Sequence, residues 1–503
     1  MAVLAIDVGT TGCKALIFDE RGSVRAAAYR EYPLIHPRPG WAELDPTVVW
    51  ERVRESVREV ARMAGDEVRA LSVSAQGEAV IPVDRRGNVL DNSIVTFDSR
   101  AAEMVEVLEE NVGRDRIFKI TGIPLSGMYT ACKLLWLREN KREVFRDAWK
   151  FLCYEDYIHY KLGLQPVIDF SLAGKTMMFD VITKRWSTEL MDIVGIDESK
   201  LAEPHLSGEI IGRISKSAAD ELSLRSDVVA VVGAHDQAAG ALGAGVTGPD
   251  IGMDATGTTE SIALVSPVPI LKDDMCRYNY PCYPYVLEDT YITVAFNLVA
   301  GALLKWYRDT FGREEIEEAR AAGRDVYDVI LEKASSRSSG PSDIYVLPHF
   351  AFSGTPYCDP SSKGAIVGLT LSTTKAEIIK AIIEGVTFEM KLNLKYLSGL
   401  GFQVKELRAT GGGSRSRTWL QLKADMFRTK VVSLEVSDSP CLGAAILAAT
   451  ALGEYESVAQ AAGVMVKPGE VFTPDQNLAA LYDERMPVFE RIYPSVKAIF
   501  RSK

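Results

Sequence analysis

Short apolar runs alternate with polar punctuation from the start of the chain. VLAID (3–7), GTTG (9–12), KALIF (14–18), DERGS (19–23) and VRAAAYREY (24–32) read as strand, turn, strand, turn, strand, because branched residues bounded by glycine and aspartate are hairpin chemistry. Asp45 followed by Pro46 then predicts an N-cap with proline at the first helical position, opening a helix through 47–65. A strand (RALSVSA, 69–75), a hairpin around 85–88, a strand (NSIVTFD, 92–98) and a polar helix from about Ser99 to Glu110 are expected next. Such alternation predicts an α/β architecture.

Further on, DVVAVVGA (227–234) reads as a buried strand running into HDQAAGALGAG (235–245), and VTGPD (246–250) is the best break in the chain. This gives two expected domains, 1–245 and 246–503. In the second, NLVAGALLKWYRDTFG (297–312) has helical spacing, the charge-rich 312–325 reads as a solvated helix face, and SSRSSGPSD (335–343) reads as a surface loop. IGMDATGTTESIALV (251–265) repeats the opening unit: Gly257, Thr258 and Thr259 follow an aspartate and precede an apolar strand as Gly9, Thr10 and Thr11 do, 248 positions earlier. A duplicated lobe is the economical explanation.

Composition narrows the function. The 503 residues, 47% hydrophobic and 25% charged, are ordinary globular material with room for more than one core. A net charge of −11 excludes a protein whose main role is coating nucleic acid or an anionic membrane, though not a local phosphate pocket. No basic segment precedes the first apolar run, which Asp7 and Gly9 interrupt, so a secretory signal is not expected; nor does any stretch approach the length of a membrane span. Seven cysteines without CxxC spacing suggest reduced thiols in a cytoplasmic protein.

The candidate chemistry lies in the turns. Asp7 with the 9–12 turn offers successive backbone N–H groups and two hydroxyls suited to phosphate oxygens, with a carboxylate able to hold Mg2+; the bland alternative is a plain hairpin, and its recurrence at Gly257 and Thr258 argues against that. Gly411, Gly412 and Gly413 follow a strand-like KELRATG and open a helix, which lets a nucleotide approach the backbone. Asp236, just past a buried strand, could serve as a general base or simply cap a helix, and His235 reads as a packed or capping residue. Gly243 to Gly248 satisfies GxGxxG, but a helix-like segment precedes it and Pro249 follows, so an NAD-dependent dehydrogenase is only an alternative.

In order along nearly the whole chain, DVGTTGCKALIFD, GWAELDPTVVW, GAHDQAAGALGAG, DATGTTE, the run from Gly364 through Glu384, ATGGGSRSRTWLQLKADMF and SPCLGAAILA resemble the FGGY family of carbohydrate kinases. The resemblance implies two ribonuclease H-like lobes of the actin and hexokinase type with an interdomain cleft. It also implies ATP and Mg2+, transfer to a terminal primary hydroxyl, a small-molecule sugar or polyol partner and, by analogy, a homodimer. Asp236 matches the family's base and Asp7 its carboxylate near Mg2+. Thr10, Thr11 and Lys14 match residues facing the triphosphate; Gly257, Thr258, Gly411, Gly412 and Ser416 match nucleotide contacts. Trp41, Glu78, Asp98 and Gln237 are candidates for the acceptor pocket, since carboxylates and an amide beside an indole face suit a polyhydroxylated ligand. Trp41 could equally be core packing. GWAELDP and the 411–421 segment resemble the xylulose kinase branch, whereas Glu78 and Gln237 resemble glycerol kinases. A pentulose such as xylulose is the expected acceptor, with glycerol, another polyol or a sugar acid as alternatives. A nucleotide-binding actin-like scaffold without kinase activity is the alternative of another class.

Overall fold

The computed structural model describes residues 2–64, 67–335 and 340–500. It is a mixed α/β protein with two sheet-containing domains. In the first sheet, Ala2–Val8 pairs antiparallel with Gly12–Asp19, which pairs antiparallel with Val24–Glu31. On its other side Ala2–Val8 runs parallel to Val68–Ala75, which runs parallel to Val229–His235. The second sheet repeats this winding: Ile251–Thr256 pairs antiparallel with Glu260–Ser266 and that with Tyr291–Asn297, while Glu406–Thr410 and then Lys430–Leu434 add in parallel. The repeated turn motif thus marks a repeated topology. The outer strands differ, because Ile210–Arg213 precedes its neighbour in sequence and Pro468–Phe472 follows its own.

The Asp45-Pro46 signal opens the helix Pro46–Ala64, with Asp45 accepting the Thr47 N–H at 2.8 Å. Val49, Val53, Val57 and Val60 form its buried stripe, at the spacing that keeps one face on a core. The polar helix predicted from Ser99 begins only at Met104. Asp98 Oδ1 accepts the N–H of Arg100, two residues on, and this local turn competes with a helical start. The predicted strand 92–98 is confined to Ser93–Ile94, because the chain then turns, with the Asp98 N–H donating to Val95 O at 3.2 Å. Residues 336–339 of the expected 335–343 loop lie outside the described residues.

One connection departs from a simple division into halves. Helix Ser439–Ala451 and helix Val458–Met465, both late in the chain, pack into the core of the first sheet. Ser439–Ala451 crosses Asp236–Gly243 at backbone contact: a β-carbon on Gly243 would lie 1.8 Å from the Ser439 carbonyl oxygen, and one on Gly443 1.9 Å from that of Ala239. The glycines of the GxGxxG match therefore belong to a helix end, a turn and a helix crossing, followed by the strand Ile251–Thr256. The strand-before, helix-after context of a dinucleotide site is not there.

Candidate active site

Asp7 sits one residue before the end of Ala2–Val8, in register with Lys14 on one neighbour and Ser74 on the other, so the three share a sheet face. The Ser74 hydroxyl donates to Asp7 Oδ1 at 2.8 Å. Burial pushes the Asp7 carboxyl above its ordinary range, against the pull of Ser74 and Lys14. Lys14 is ion-paired with Asp438 at the head of Ser439–Ala451. Beyond Asp7, Gly9 closes the turn by donating to Gly12 O at 3.1 Å, and its own carbonyl accepts from Gln76 Nε2 at 3.0 Å and from Tyr32. The N–H groups of Thr10 and Thr11 at the tip take no partner among the described residues.

Asp236 is the first residue of helix Asp236–Gly243, directly after the strand Val229–His235. Its side chain is 31% exposed. Burial, then the negative charges of Asp7 and Glu78, push its carboxyl up to about 7. His235 Nε2 lies 3.2 Å from Asp236 Oδ1 and its Nδ1 3.3 Å from the Tyr283 hydroxyl. Burial and the nearby Lys175 push the imidazole down to about 3, so it is neutral at physiological pH. With the Tyr283 hydroxyl donating to Nδ1, the ring proton sits on Nε2, the nitrogen nearer Asp236.

Glu78 is buried at a left-handed backbone position, φ 60°. Its Oε1 is 2.8 Å from Lys175 Nζ, its Oε2 accepts from Thr96 Oγ1 at 3.0 Å, and its carbonyl accepts from the buried Lys133 ammonium at 2.7 Å. Burial would raise its carboxyl, but Lys175 and the other cationic neighbours hold it below the usual carboxylate range. Lys175 itself lies between the rings of Tyr129 and Tyr283, 5.2 Å from each centroid. Gln237 Oε1 accepts from Ser261 Oγ at 2.9 Å. Tyr283 and Ser261 belong to strands of the second sheet, so this site lies where the two halves meet.

Two acceptor-pocket candidates form a cluster of their own. Asp98 has a fully buried side chain and accepts from Arg100 Nε and Nη2 at 2.9 and 2.8 Å and from the Ala42 N–H. Arg100 also pairs with Glu43 at 2.7 Å, and its guanidinium lies 3.9 Å from the Trp41 ring centroid. Trp41 meets Trp136 edge-on at 5.3 Å. Asp98, expected to present itself to a ligand, instead holds the arginine on which the half-buried Trp41 rests.

The second turn also starts on a glycine but closes one residue sooner than the first. Gly257 N donates to Thr259 O at 2.8 Å, and the N–H groups of Thr258 and Thr259 take no partner among the described residues. Gly257, Thr258, Gly412, Ser416, Gly301 and Tyr327 are among the residues lining a cavity of about 390 Å³. Gly411, with φ 78°, starts the short turn that carries Gly412, and a β-carbon on Gly412 would meet only open space. The Ser416 hydroxyl caps the following helix by accepting the Trp419 N–H at 3.2 Å. Sequence reasoning missed Gly301, which starts helix Gly301–Phe311 and donates its N–H to Gly257 O at 2.9 Å; a β-carbon there would lie 2.6 Å from the same oxygen. Its signal was a glycine at a helix start. Lys175 had none, since only the fold brings it to Glu78.

The second aspartate of the repeat behaves differently from the first. Asp7 is two residues before its glycine and Asp254 three before its own, and on a strand one residue changes the face. Asp254 is accordingly buried, 2.7 Å from Lys423 Nζ, which also lies 2.7 Å from Glu260. A larger groove of about 590 Å³ lined by Leu394, Phe402, Phe427 and Met486 holds none of the predicted site residues.

Paired Gly-Thr-Thr tips on like-wound sheets, with a group of carboxylates beside one of them, are an arrangement suited to phosphoryl transfer, and similarity to known proteins assigns the class, a carbohydrate kinase. Residues 2–243 match the FGGY family of carbohydrate kinases, N-terminal domain, and residues 254–452 match its C-terminal domain, so the chain belongs to that family. It is 28% identical over 502 residues to a xylulose kinase of Staphylococcus epidermidis, covering 99% of this chain and 97% of the relative. A gluconokinase of Bacillus subtilis is 29% identical (97% of this chain, 94% of the relative), and a glycerol kinase of Borrelia hermsii is 29% identical (100% and 99%). The crystal structure of ligand-bound xylulose kinase from Lactobacillus acidophilus superposes with a TM-score of 0.90 at 27% identity, covering 99% of both chains. Among the described residues no helix is long and apolar enough to cross a membrane.

Proposed function

We propose that this chain phosphorylates a pentulose such as xylulose at a terminal primary hydroxyl, with ATP as donor and Asp236 as general base. The observation that carries the reading is the placement of Asp236. A partly exposed carboxylate at a strand end, beside a neutral histidine and raised to about 7, has the basicity a hydroxyl-activating group needs near neutral pH. The unpartnered N–H groups at Thr10, Thr11 and Thr258 and the open backbone at Gly412 fit a nucleoside triphosphate, and Asp7, a hard oxygen ligand, fits Mg2+. When bound, MgATP supplies the phosphoryl group and neutralises charge developing on it. The protein's part is positional: backbone N–H groups hold phosphate oxygens, Lys14 adds a cation, and Asp236 takes the proton of the attacking hydroxyl. The two sheet-containing lobes, the first including the helices Ser439–Ala451 and Val458–Met465, would exclude water from the transfer by closing together.

Charge supports a neutral acceptor. Lys175 is already paired with Glu78, and Asp7 and Asp236 add negative charge nearby, which disfavours a sugar acid. Glycerol is the second reading, favoured by Glu78, whose ionised carboxylate can accept from hydroxyl groups. ADP release measured over a panel of pentuloses, hexuloses, polyols and sugar acids tests the proposal. The greatest stimulation is expected with a pentulose, and Asp236→Asn should abolish turnover while leaving ATP binding intact. ATP binding without stimulation by any acceptor would favour the scaffold reading instead.

A further inference from the structure

The strand that delivers Asp236 is irregular just before it. Val231 pairs with Ser72 and Ala234 with Ser74, so three steps on one strand match two on the other. Such a bulge re-aims whatever follows it and takes N–H groups out of the ladder. Gly233 sits in the bulge, where a β-carbon would fall 1.8 Å from the Val73 carbonyl oxygen.

Two N–H groups at the bulge are met by side chains from outside the sheet. Glu155 Oε1 accepts the Gly233 N–H at 2.7 Å, and Glu155 Oε2 accepts the Asp169 N–H at 2.9 Å. Asp169 Oδ1 in turn accepts the N–H of Ser171 at 2.7 Å and the Ser171 hydroxyl, and Ser171 Oγ accepts the His235 N–H at 3.0 Å. All three side chains belong to fully buried residues. Both N–H groups flanking Ala234, at 233 and 235, are thus fixed by one relay of two carboxyls and a hydroxyl. Asp169 also caps helix Phe170–Gly174, accepting the Leu172 N–H at 3.1 Å, but that role asks for one carboxyl, and a second buried beside it is a costly arrangement.

We propose that Glu155 and Asp169, acting through Ser171, are positioning residues that set the bulge and thereby aim His235 and Asp236. The proposal rests on Asp236 being the base. The relay touches no lining residue of the nucleotide cavity, so its loss should lower turnover without weakening nucleotide binding.

The test uses the full-length chain and the acceptor giving highest turnover. Glu155→Leu, Glu155→Gln, Ser171→Ala and Asp236→Asn are compared for kcat, KM and ADP affinity by calorimetry. A misplacement of about 1 Å at a reacting group costs on the order of 100-fold. We expect that loss of kcat in Glu155→Leu and Ser171→Ala with ADP affinity within about twofold of the parent, and recovery to within about tenfold in Glu155→Gln, which keeps an oxygen acceptor for Gly233. Ser171→Ala removes a single oxygen and decides the matter if Glu155→Leu does not fold. Turnover surviving in Asp236→Asn overturns the base assignment and this proposal with it. Turnover lost in Asp236→Asn but within about threefold of the parent in Ser171→Ala, or ADP affinity falling in step with kcat, overturns the positioning role alone.

Discussion

The acid limb of the pH profile is the most direct reading of how Asp236 is built. Its carboxyl is raised from an ordinary 3.8 to about 7 by burial and by Asp7 and Glu78. A base of that kind is about one-tenth ionised at pH 6 and about nine-tenths at pH 8, so kcat/KM should rise roughly tenfold across that interval. An aspartate at its ordinary value would be ionised throughout and give a flat profile. The assay is initial-rate ADP release with both substrates limiting, where the profile reports the free enzyme, and with Mg2+ in excess so that the nucleotide stays ionised. The diagnostic perturbation is Glu78→Gln. It removes one negative neighbour and leaves Lys175 without its partner carboxylate, and both changes favour the ionised form of Asp236. The limb should therefore move to lower pH, and the variant should keep a larger fraction of its own plateau rate at pH 6 than the parent does. A limb that stays in place, or moves upward, would refute the electrostatic account even if the variant's plateau falls because Glu78 contacts the acceptor.

Two further outcomes follow from packing. Lys423→Met leaves Asp254 and Glu260 buried without their shared cation, and loss of one partner from a buried ion cluster costs about 3–5 kcal/mol, readable as a lower urea midpoint. Gly301→Ala should push helix Gly301–Phe311 away from the second turn, weakening ADP binding about tenfold in calorimetry, a loss of about 1.4 kcal/mol, while acceptor binding stays as in the parent.

Local signals in the chain were legible where chemistry and geometry are set by neighbours in sequence. The Gly-Thr-Thr turns, the proline-opened helix at Pro46 and the strand running into Asp236 all depend on residues within a few positions of one another. The repeat predicted a duplicated lobe, and the matching sheet windings express it. What escaped was tertiary. Lys175 reaches Glu78 across almost a hundred positions, and Glu155 reaches Gly233 across 78. The equivalence of Asp7 and Asp254 failed by a single residue, because a strand reverses its facing at every step. Asp98 and Trp41 were both read as acceptor-pocket candidates, but Arg100, which pairs with one and lies over the ring of the other, carries no signal in the sequence.

The late helices that finish the first core also impose an order on synthesis. Cys441, Leu442, Ala445 and, further on, Val466 lie in the same buried cluster as Val3, Leu71 and Val231. An N-terminal lobe ordinarily folds while the rest of its chain is still on the ribosome. Here that lobe can form its sheet early, yet the apolar face awaiting Ser439–Ala451 stays bare until those residues, about 200 positions after its last strand, have emerged. The two halves, alike in winding, are therefore not independent folding units, and the nascent first half is the stage at which this chain is most exposed to aggregation.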